Sequence, residues 1–568
     1  MIKRINFYKF NIASYLNIIL LFFLLCSTLF LSSTLFFDKE ILIKQYSFVF
    51  GSILFSLVAF YRNRNNSIAI TLLDIFLLIL FVYVLINNRL RGIGVCKNEI
   101  IFSCFIILYI SFKIEKPTQR LYTYIAVLSL CQSLLGIVQY FTSDSVMSIR
   151  LVGNYDNPAG LALSLVACLP ICISLINNSD IRQRVLGVLS TSIALLAILL
   201  STSRTGIISA LLIIGICFKN KQIKRLLLIL YFIVAIVLLI LKWDSALGRF
   251  FIWRNTLKII SDSLLFGKGQ GGFLSSYMLY QADYFVENPS SKYSMLADNI
   301  SHPLNEYLLF MVQYGLVGSI ILIILVYVVV RSVSKVRKVE VCSIGLCAMA
   351  ICALFSYPLR YPFILIMIAY SLANISIEPI AFIKNSLIIR IACLVPCICI
   401  ILFSVLSLKF EAKWNHIFKN IESLSNEETC LLYEDLNSSD YKTPLFLYNY
   451  AAVLNMRNEY EHSIHILNEC VKFLNDYDVQ ILYADNHHKL GHYAEAEYYY
   501  KLSHMMVPNR FYPLYELMIL YGDIGDFDGQ FLIANKLLIK ESKVDSPAIS
   551  YIRNKADKIV KVLSVNSN

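Results

Sequence analysis

Four basic side chains are the groups in this sequence best suited to chemistry. Arg204 lies in STSRTG (201–206), Arg249 and Arg254 in GRFFIWRNTLKII (248–260), and His302 in NISHPLNEYLLF (299–310). A guanidinium is a planar fork of donors that meets phosphate oxygens two at a time, so arginines at the ends of apolar segments suit a phosphate-bearing ligand. A neutral imidazole can take a proton from a hydroxyl near pH 7, which suits His302 as a general base. Asn305 and Glu306 follow at the start of the next apolar segment, in capping or orienting positions.

Each group also has a plainer reading. Arg204 can be an interfacial anchor that snorkels to the headgroups. A charge at that depth is costly, however, and its small hydroxyl and glycine neighbours leave it open to a ligand, so function is preferred. Phe250, Trp253, Leu257 and Ile260 fall at helical spacing, with Arg249 and Arg254 off that stripe, as in an amphipathic helix lying on a membrane. GNYDNPAG (153–160) is turn chemistry before a helix start at Pro158, although a helix amino terminus facing water can also bind an anion. GKGQGG (267–272) permits close backbone approach, but it lacks a Walker pattern and a strand–helix setting.

The elements that must position these groups are membrane helices. Of the 568 residues 58% are hydrophobic and 15% charged, far from a soluble composition. Apolar segments near 15–36, 46–61, 68–86, 99–112, 121–141, 159–177, 185–201, 205–218 and 226–241 precede a polar loop, Lys242–Asn305. Segments near 306–330, 341–357, 362–378 and 387–408 follow it. The expectation is an all-α polytopic membrane protein of about 12–13 spans. The first segment is too long for the core of a cleaved signal peptide and reads as a retained span.

Charge orients these spans. The basic amino terminus MIKRINFYKF and the linkers 62–66, 113–120, 177–184, 219–225, 331–340 and the one holding Lys384 and Arg390 alternate with less basic connections. The positive-inside rule then puts the loop 242–305 and the carboxyl terminus outside the cytoplasmic membrane. The net charge of +12 is spread over these linkers, which argues against nucleic acid as a partner. The 15 cysteines lie mostly in apolar segments, among them Cys26, Cys168, Cys172, Cys347, Cys393 and Cys397. With no CxxC pair or Cys/His cluster, neither a metal site, a cofactor nor a disulfide framework is indicated, and a Cys430–Cys470 bridge has no support.

From about Lys409 the chain turns polar and tyrosine-rich. Tyr460, Tyr493 and Phe527 stand 33 and 34 residues apart, with Asn458, Gly491 and Gly525 two residues before each. Ala451, Ala484 and Met518 recur at matching places, and LYADNHHKLGHYAEAEYYYKL (482–502) is the clearest copy. This period resembles the tetratricopeptide repeat, an α-solenoid of stacked helix pairs, with a possible degenerate copy over 414–444. His487 and His488 read as packing residues. The expected division is a membrane domain, 1–408, and a helical repeat domain, 409–568.

Taken together, VGNYDNPAGLAL (152–163), TSRTG (202–206), GRFFIW (248–253), LLFGKGQGGF (264–273), HPLNEYLLFMVQYGLVG (302–318) and SYPLRYP (356–362) resemble the O-antigen ligase and polymerase superfamily of bacterial envelope glycosyltransferases. The resemblance covers roughly residues 120–378. It implies an inner-membrane enzyme whose long loop and tail are periplasmic. It also implies metal-independent, inverting transfer of a glycan from undecaprenyl diphosphate to an acceptor hydroxyl. On that pattern Arg204 and Arg249 hold the diphosphate, with Arg254 as the alternative to Arg249, and His302 is the base beside Asn305. One position departs: many members carry histidine directly before the asparagine, where this chain has Leu304. His302 then works from two residues earlier, or Asp283, Glu287, Asp298 or Glu306 takes its place.

The leading reading is a ligase acting on lipid A-core or on protein, and the second a polymerase extending the lipid-linked chain. The repeat tail favours a ligase with a protein partner. A transporter would need inverted repeats or charges at the membrane midplane, and the polar groups here gather on one face. A non-catalytic assembly scaffold is the reading left if His302 is not a base.

Overall fold

The computed structural model describes residues 12–115, 119–142, 151–217, 221–335, 340–385 and 387–566. The amino-terminal basic segment and parts of the basic linkers 113–120, 219–225 and 331–340 lie outside them. Each apolar segment read as a span falls on a helix, from Ile12–Phe30 to Leu387–Lys419. Among the described residues 8 helices are long and apolar enough to cross a membrane. Leu16–Phe30, Arg204–Cys217, Val341–Phe355 and Pro362–Ala373 are apolar but shorter. The chain is an all-α polytopic membrane protein.

One local feature departs from the sequence reading. The third span was expected from residue 68, but Ser67–Ile70 is a strand paired antiparallel with Ala381–Lys384, Ile68 facing Ile383. The helix begins only at Leu72, behind a capping box in which Asp74 accepts from the Thr71 backbone N–H at 2.6 Å. The four residues SIAI carry no helix-start signal, and their partner strand lies over 300 residues away, so local periodicity does not reveal the pairing.

The described residues group into two compact units. The first comprises Met1–Leu241, Leu304–Tyr307 and Gly318–Asn415. At its centre is the helix Pro158–Ile176, of which 78% is buried. Small residues let neighbouring helices close on it: a Cβ on Gly206 would stand 2.6 Å from that of Ala162.

The second unit joins the long loop, Lys242–Pro303, to Leu308–Val317 and the tail from His416. The tail is a series of helix pairs: Pro444–Met456 with Tyr460–Cys470, Tyr477–Lys489 with Tyr493–Met506, and Tyr512–Asp523 with Phe527–Ile539. The three pairs turn in the same way. Asn458, Gly491 and Gly525 take left-handed φ of 65°, 76° and 78°. The next residue of each closes the turn, Glu459 N–H to Leu454, His492 to His487 and Asp526 to Tyr521, all at 2.9 Å. Ala451, Ala484 and Met518 are buried in the pairs. Cys430 and Cys470 are free thiols.

Within the loop, the helices Trp243–Asp262 and Gly272–Glu287 cross. The first buries Phe251, Ile252, Asn255, Thr256, Ile259 and Ile260, with Phe251 packed among Tyr284, Phe285 and Ala297, so Ile260 leaves the stripe expected to lie on the membrane and packs inward instead. Its other apolar face, with Phe250 and Leu257 each 54% accessible, stays exposed, as in a helix that rests on a membrane surface.

Candidate functional site

In the membrane unit four separate sequence motifs meet. Asn157 is the hub. Its side-chain oxygen caps the helix at Pro158 by accepting from Gly160 N–H at 2.9 Å. Its amide donates to the hydroxyls of Tyr357 and Tyr361 at 2.9 and 3.0 Å. Gly160 has no room for a side chain, since a Cβ there would lie 2.8 Å from the Tyr361 ring. The Pro358–Arg360 turn is held from a third direction by Glu306, whose carboxylate accepts from Leu359 N–H at 3.0 Å. Asn305 is buried and caps the helix it precedes, accepting from Tyr307 N–H at 3.0 Å.

Arg204 is the first residue of the helix Arg204–Cys217, whose first turn packs through Gly206 on the first turn of the Pro158 helix. Ser203 accepts from Gly206 N–H at 3.3 Å. A helix amino terminus already carries partial positive charge, so a cation there is disfavoured unless an anion joins it. The preceding Thr202 has φ 54°, a left-handed backbone unusual for a β-branched residue and of the kind that clusters at functional sites. A guanidinium at a helix amino terminus is an arrangement that can receive an anion.

At the Asp156 turn lies a charged group that the sequence does not single out. Arg360 is 3.2 Å from Asp156 and 3.8 Å from Asp38. Tyr361 donates to the same Asp156 carboxylate at 3.1 Å. Lys44 is 0% accessible; its ammonium donates to the Asn154 carbonyl and lies 4.5 Å over the Tyr155 ring. A lysine just ahead of an apolar run is a signal the sequence carried, since a buried ammonium needs a specific partner.

The second unit holds the remaining expected residues. Arg249 and Arg254 lie on the helix Trp243–Asp262. Arg249 is half-buried, whereas Arg254 is exposed with its guanidinium 4.7 Å over the Tyr284 ring. His302 is half-buried, in the irregular segment between Asp298 and Pro303, just after a bend at Ser301. Trp253 Nε1 donates to the Pro303 carbonyl at 3.0 Å, which ties the arginine-bearing helix to the residue next to His302. Leu304 has φ 55°, so the departure from the family pattern sits on a left-handed backbone. Of the substitute bases, Glu306 is engaged with Leu359, Asp298 pairs with Arg510 at 3.3 Å, and Glu287 lies 3.7 Å from Lys258.

The glycine-rich turn does something the sequence reading did not foresee. The helix Glu306–Lys335 breaks at Gly315. Leu316 and Val317 N–H donate to the Leu264 and Leu265 carbonyls at 2.8 and 3.1 Å. In return, Lys268 and Gly269 N–H donate to Val312 and Gln313, each at 2.8 Å. The turn is spliced into the helix by four backbone bonds, which give partners to backbone groups that the break takes out of the helical pattern.

Arg204 and Asn305 thus belong to the membrane unit, and Arg249, Arg254 and His302 to the other. Residues 189–323 match the family described as O-Antigen ligase, a stretch that contains all five. No curated protein matches the chain. The family match supports a ligase- or polymerase-like function of the glycosyltransferase type for a multi-pass membrane protein.

Proposed function

We propose that the chain is an O-antigen ligase-like glycosyltransferase of the bacterial cytoplasmic membrane, moving a glycan from undecaprenyl diphosphate to an acceptor hydroxyl on the periplasmic side. The observation that carries this is the inclusion of Arg204, Arg249, Arg254, His302 and Asn305 in the matched stretch. Arg204 and Arg249 bind the diphosphate. His302 removes the acceptor proton as the acceptor oxygen bonds to the anomeric carbon. The bond from that carbon to the phosphate oxygen breaks, and undecaprenyl diphosphate leaves with the electron pair, its charge met by the guanidinium groups. Arg254 is the alternative to Arg249 in this role. Asn305 sets the start of the helix behind His302. The step needs no metal or cofactor.

The tail is read as tetratricopeptide-like on the three identical turns and their 33- and 34-residue spacing. Such a tail fits a ligase acting on lipid A-core or on protein better than a polymerase.

Gene deletion followed by gel analysis of lipid-linked, lipid A-linked and protein-linked glycan tests the assignment. Polysaccharide retained on the carrier supports a ligase, and loss from proteins alone a protein ligase. Attachment of single units identifies the runner-up, a polymerase. Unchanged glycans in all three fractions would reject a glycosyltransferase.

A further inference from the structure

We propose that the repeat tail acts in cis, as a clamp on the loop segment that carries His302, with Asn299, Asn509 and Arg510 as positioning residues. This rests on the reading of His302 as the general base.

The contacts converge on the second helix pair and the linker that follows it. Asn509 donates to the carbonyls of Ser294 and Ala297 at 3.0 and 2.7 Å. Arg510 is 3.3 Å from Asp298 and 3.9 Å from Asp478, with its guanidinium 4.4 Å over the Tyr477 ring. Asn299 donates in the other direction, to Asp476 at 3.1 Å and Asp478 at 3.0 Å. Gln281 bridges the Met506 and Asp298 carbonyls at 2.6 and 3.1 Å. Met505 packs on the cluster built by Phe251, Tyr284, Phe285 and Ala297.

The loop itself holds this stretch at Ala297, packed on Phe251 and Tyr284, and at the Asp298 carbonyl, which accepts from Gln281. Beyond the 3-10 turn Lys292–Met295, the stretch to Pro303 belongs to no helix or strand, so its backbone and side-chain polar groups must find partners outside it. It finds them at both ends. Asn299 is fixed by the repeat carboxylates and the Pro303 carbonyl by Trp253. His302 lies inside this short fixed span. A base must stay within a few tenths of an ångström of its working position, and losing that geometry costs rate without removing the base itself. This surface of the tail therefore takes a segment of its own chain as its partner.

The test uses the full-length protein in lipid nanodiscs, with hydrogen–deuterium exchange and glycan transfer measured on the same preparations. Arg510→Glu should speed exchange of the 292–303 peptide at least about 10-fold, leave the other two helix pairs unchanged, and lower the maximal transfer rate more than the apparent donor KM. The charge-exchanged double variant Arg510→Glu with Asp298→Arg should recover both. Unchanged exchange of 292–303 in Arg510→Glu overturns the clamp. Faster exchange with normal transfer overturns the positioning role. If the wild-type protein transfers no glycan, the functional reading fails, and exchange alone decides the clamp.

Discussion

Gly267 and Gly315 stand backbone against backbone. A Cβ on Gly267 would lie 2.5 Å from the Gln313 carbonyl, and one on Gly315 would lie 2.4 Å from the Leu265 oxygen. Both have left-handed φ, 66° and 62°. The glycines are required because two main chains, one from the loop and one from a broken helix, exchange hydrogen bonds with no space between them.

Alanine at either glycine should undo this splice. The left-handed backbone alone costs about 1–3 kcal/mol for a residue with a Cβ, and the clash adds to it. Limited proteolysis of the 242–303 loop should accelerate in Gly315→Ala and Gly267→Ala. Gly248→Ala, at a position with nothing within 4 Å, should match the wild type. Equal behaviour of all three variants would show that the splice does not hold the loop.

The arginines should separate. Arg204→Ala and Arg249→Ala should reduce transfer below detection at unchanged membrane abundance. Arg254→Ala should cost no more than about 10-fold, since its loss removes an exposed cation–π contact of ~0.5–1 kcal/mol with Tyr284. His302→Ala should cost at least ~100-fold. A near-normal rate for His302→Ala would move the base to another group.

Lys44→Met keeps the volume of the side chain and removes the ammonium that the Asn154 carbonyl accepts from. A buried carbonyl left without its donor costs about 1–3 kcal/mol. The 153–157 turn should loosen and transfer should fall roughly 10-fold, the equivalent of 1.4 kcal/mol. Membrane abundance and the transfer rate, measured together, separate this from misfolding.

Glu516, in the tail, has its carboxyl pushed up to about 7, first by burial and then by the neighbouring Asp485. An unfolded glutamate titrates near 4.3. The folded tail thus keeps a proton that the unfolded chain has lost. This contribution to stability is fully present below about pH 4 and is lost as pH rises through about 7. Glu516→Gln should make the tail more resistant to urea than the wild type at about pH 8, with the difference shrinking toward pH 5. Proteolysis of the Tyr512–Asp523 helix across a urea series measures it. An equal gain at both pH values would mean that the carboxyl does not titrate in this range.

Much of the helical frame was legible because its signals are local. Apolar length marks the spans, and the pairing of Asn458, Gly491 and Gly525 with the residues that follow marks the helix turns of the tail. The site was legible only as a set of candidates. Asp156 and Arg360 look ordinary in their own stretches, and the position of Lys44 ahead of an apolar run does not name its partner; the neighbours of all three lie more than 100 residues away. The strand pair Ser67–Ile70 and Ala381–Lys384 was missed for the same reason.

The amino-acid sequence alone determined the membrane class, the all-α frame, the repeating turns of the tail and the basic residues available for an anion. Each depends on composition, on the length of an apolar segment or on a spacing that repeats along the chain, all of which can be read in order without knowing what meets what. Only the tertiary structure decided that Asn157 joins the 153–160 turn to the 356–362 turn, that the glycine-rich turn is a backbone splice, and that the loop shares a compact unit with the tail. Those outcomes depend on which distant backbone and side-chain groups satisfy one another's hydrogen bonds. That choice is made by packing, which no local pattern encodes.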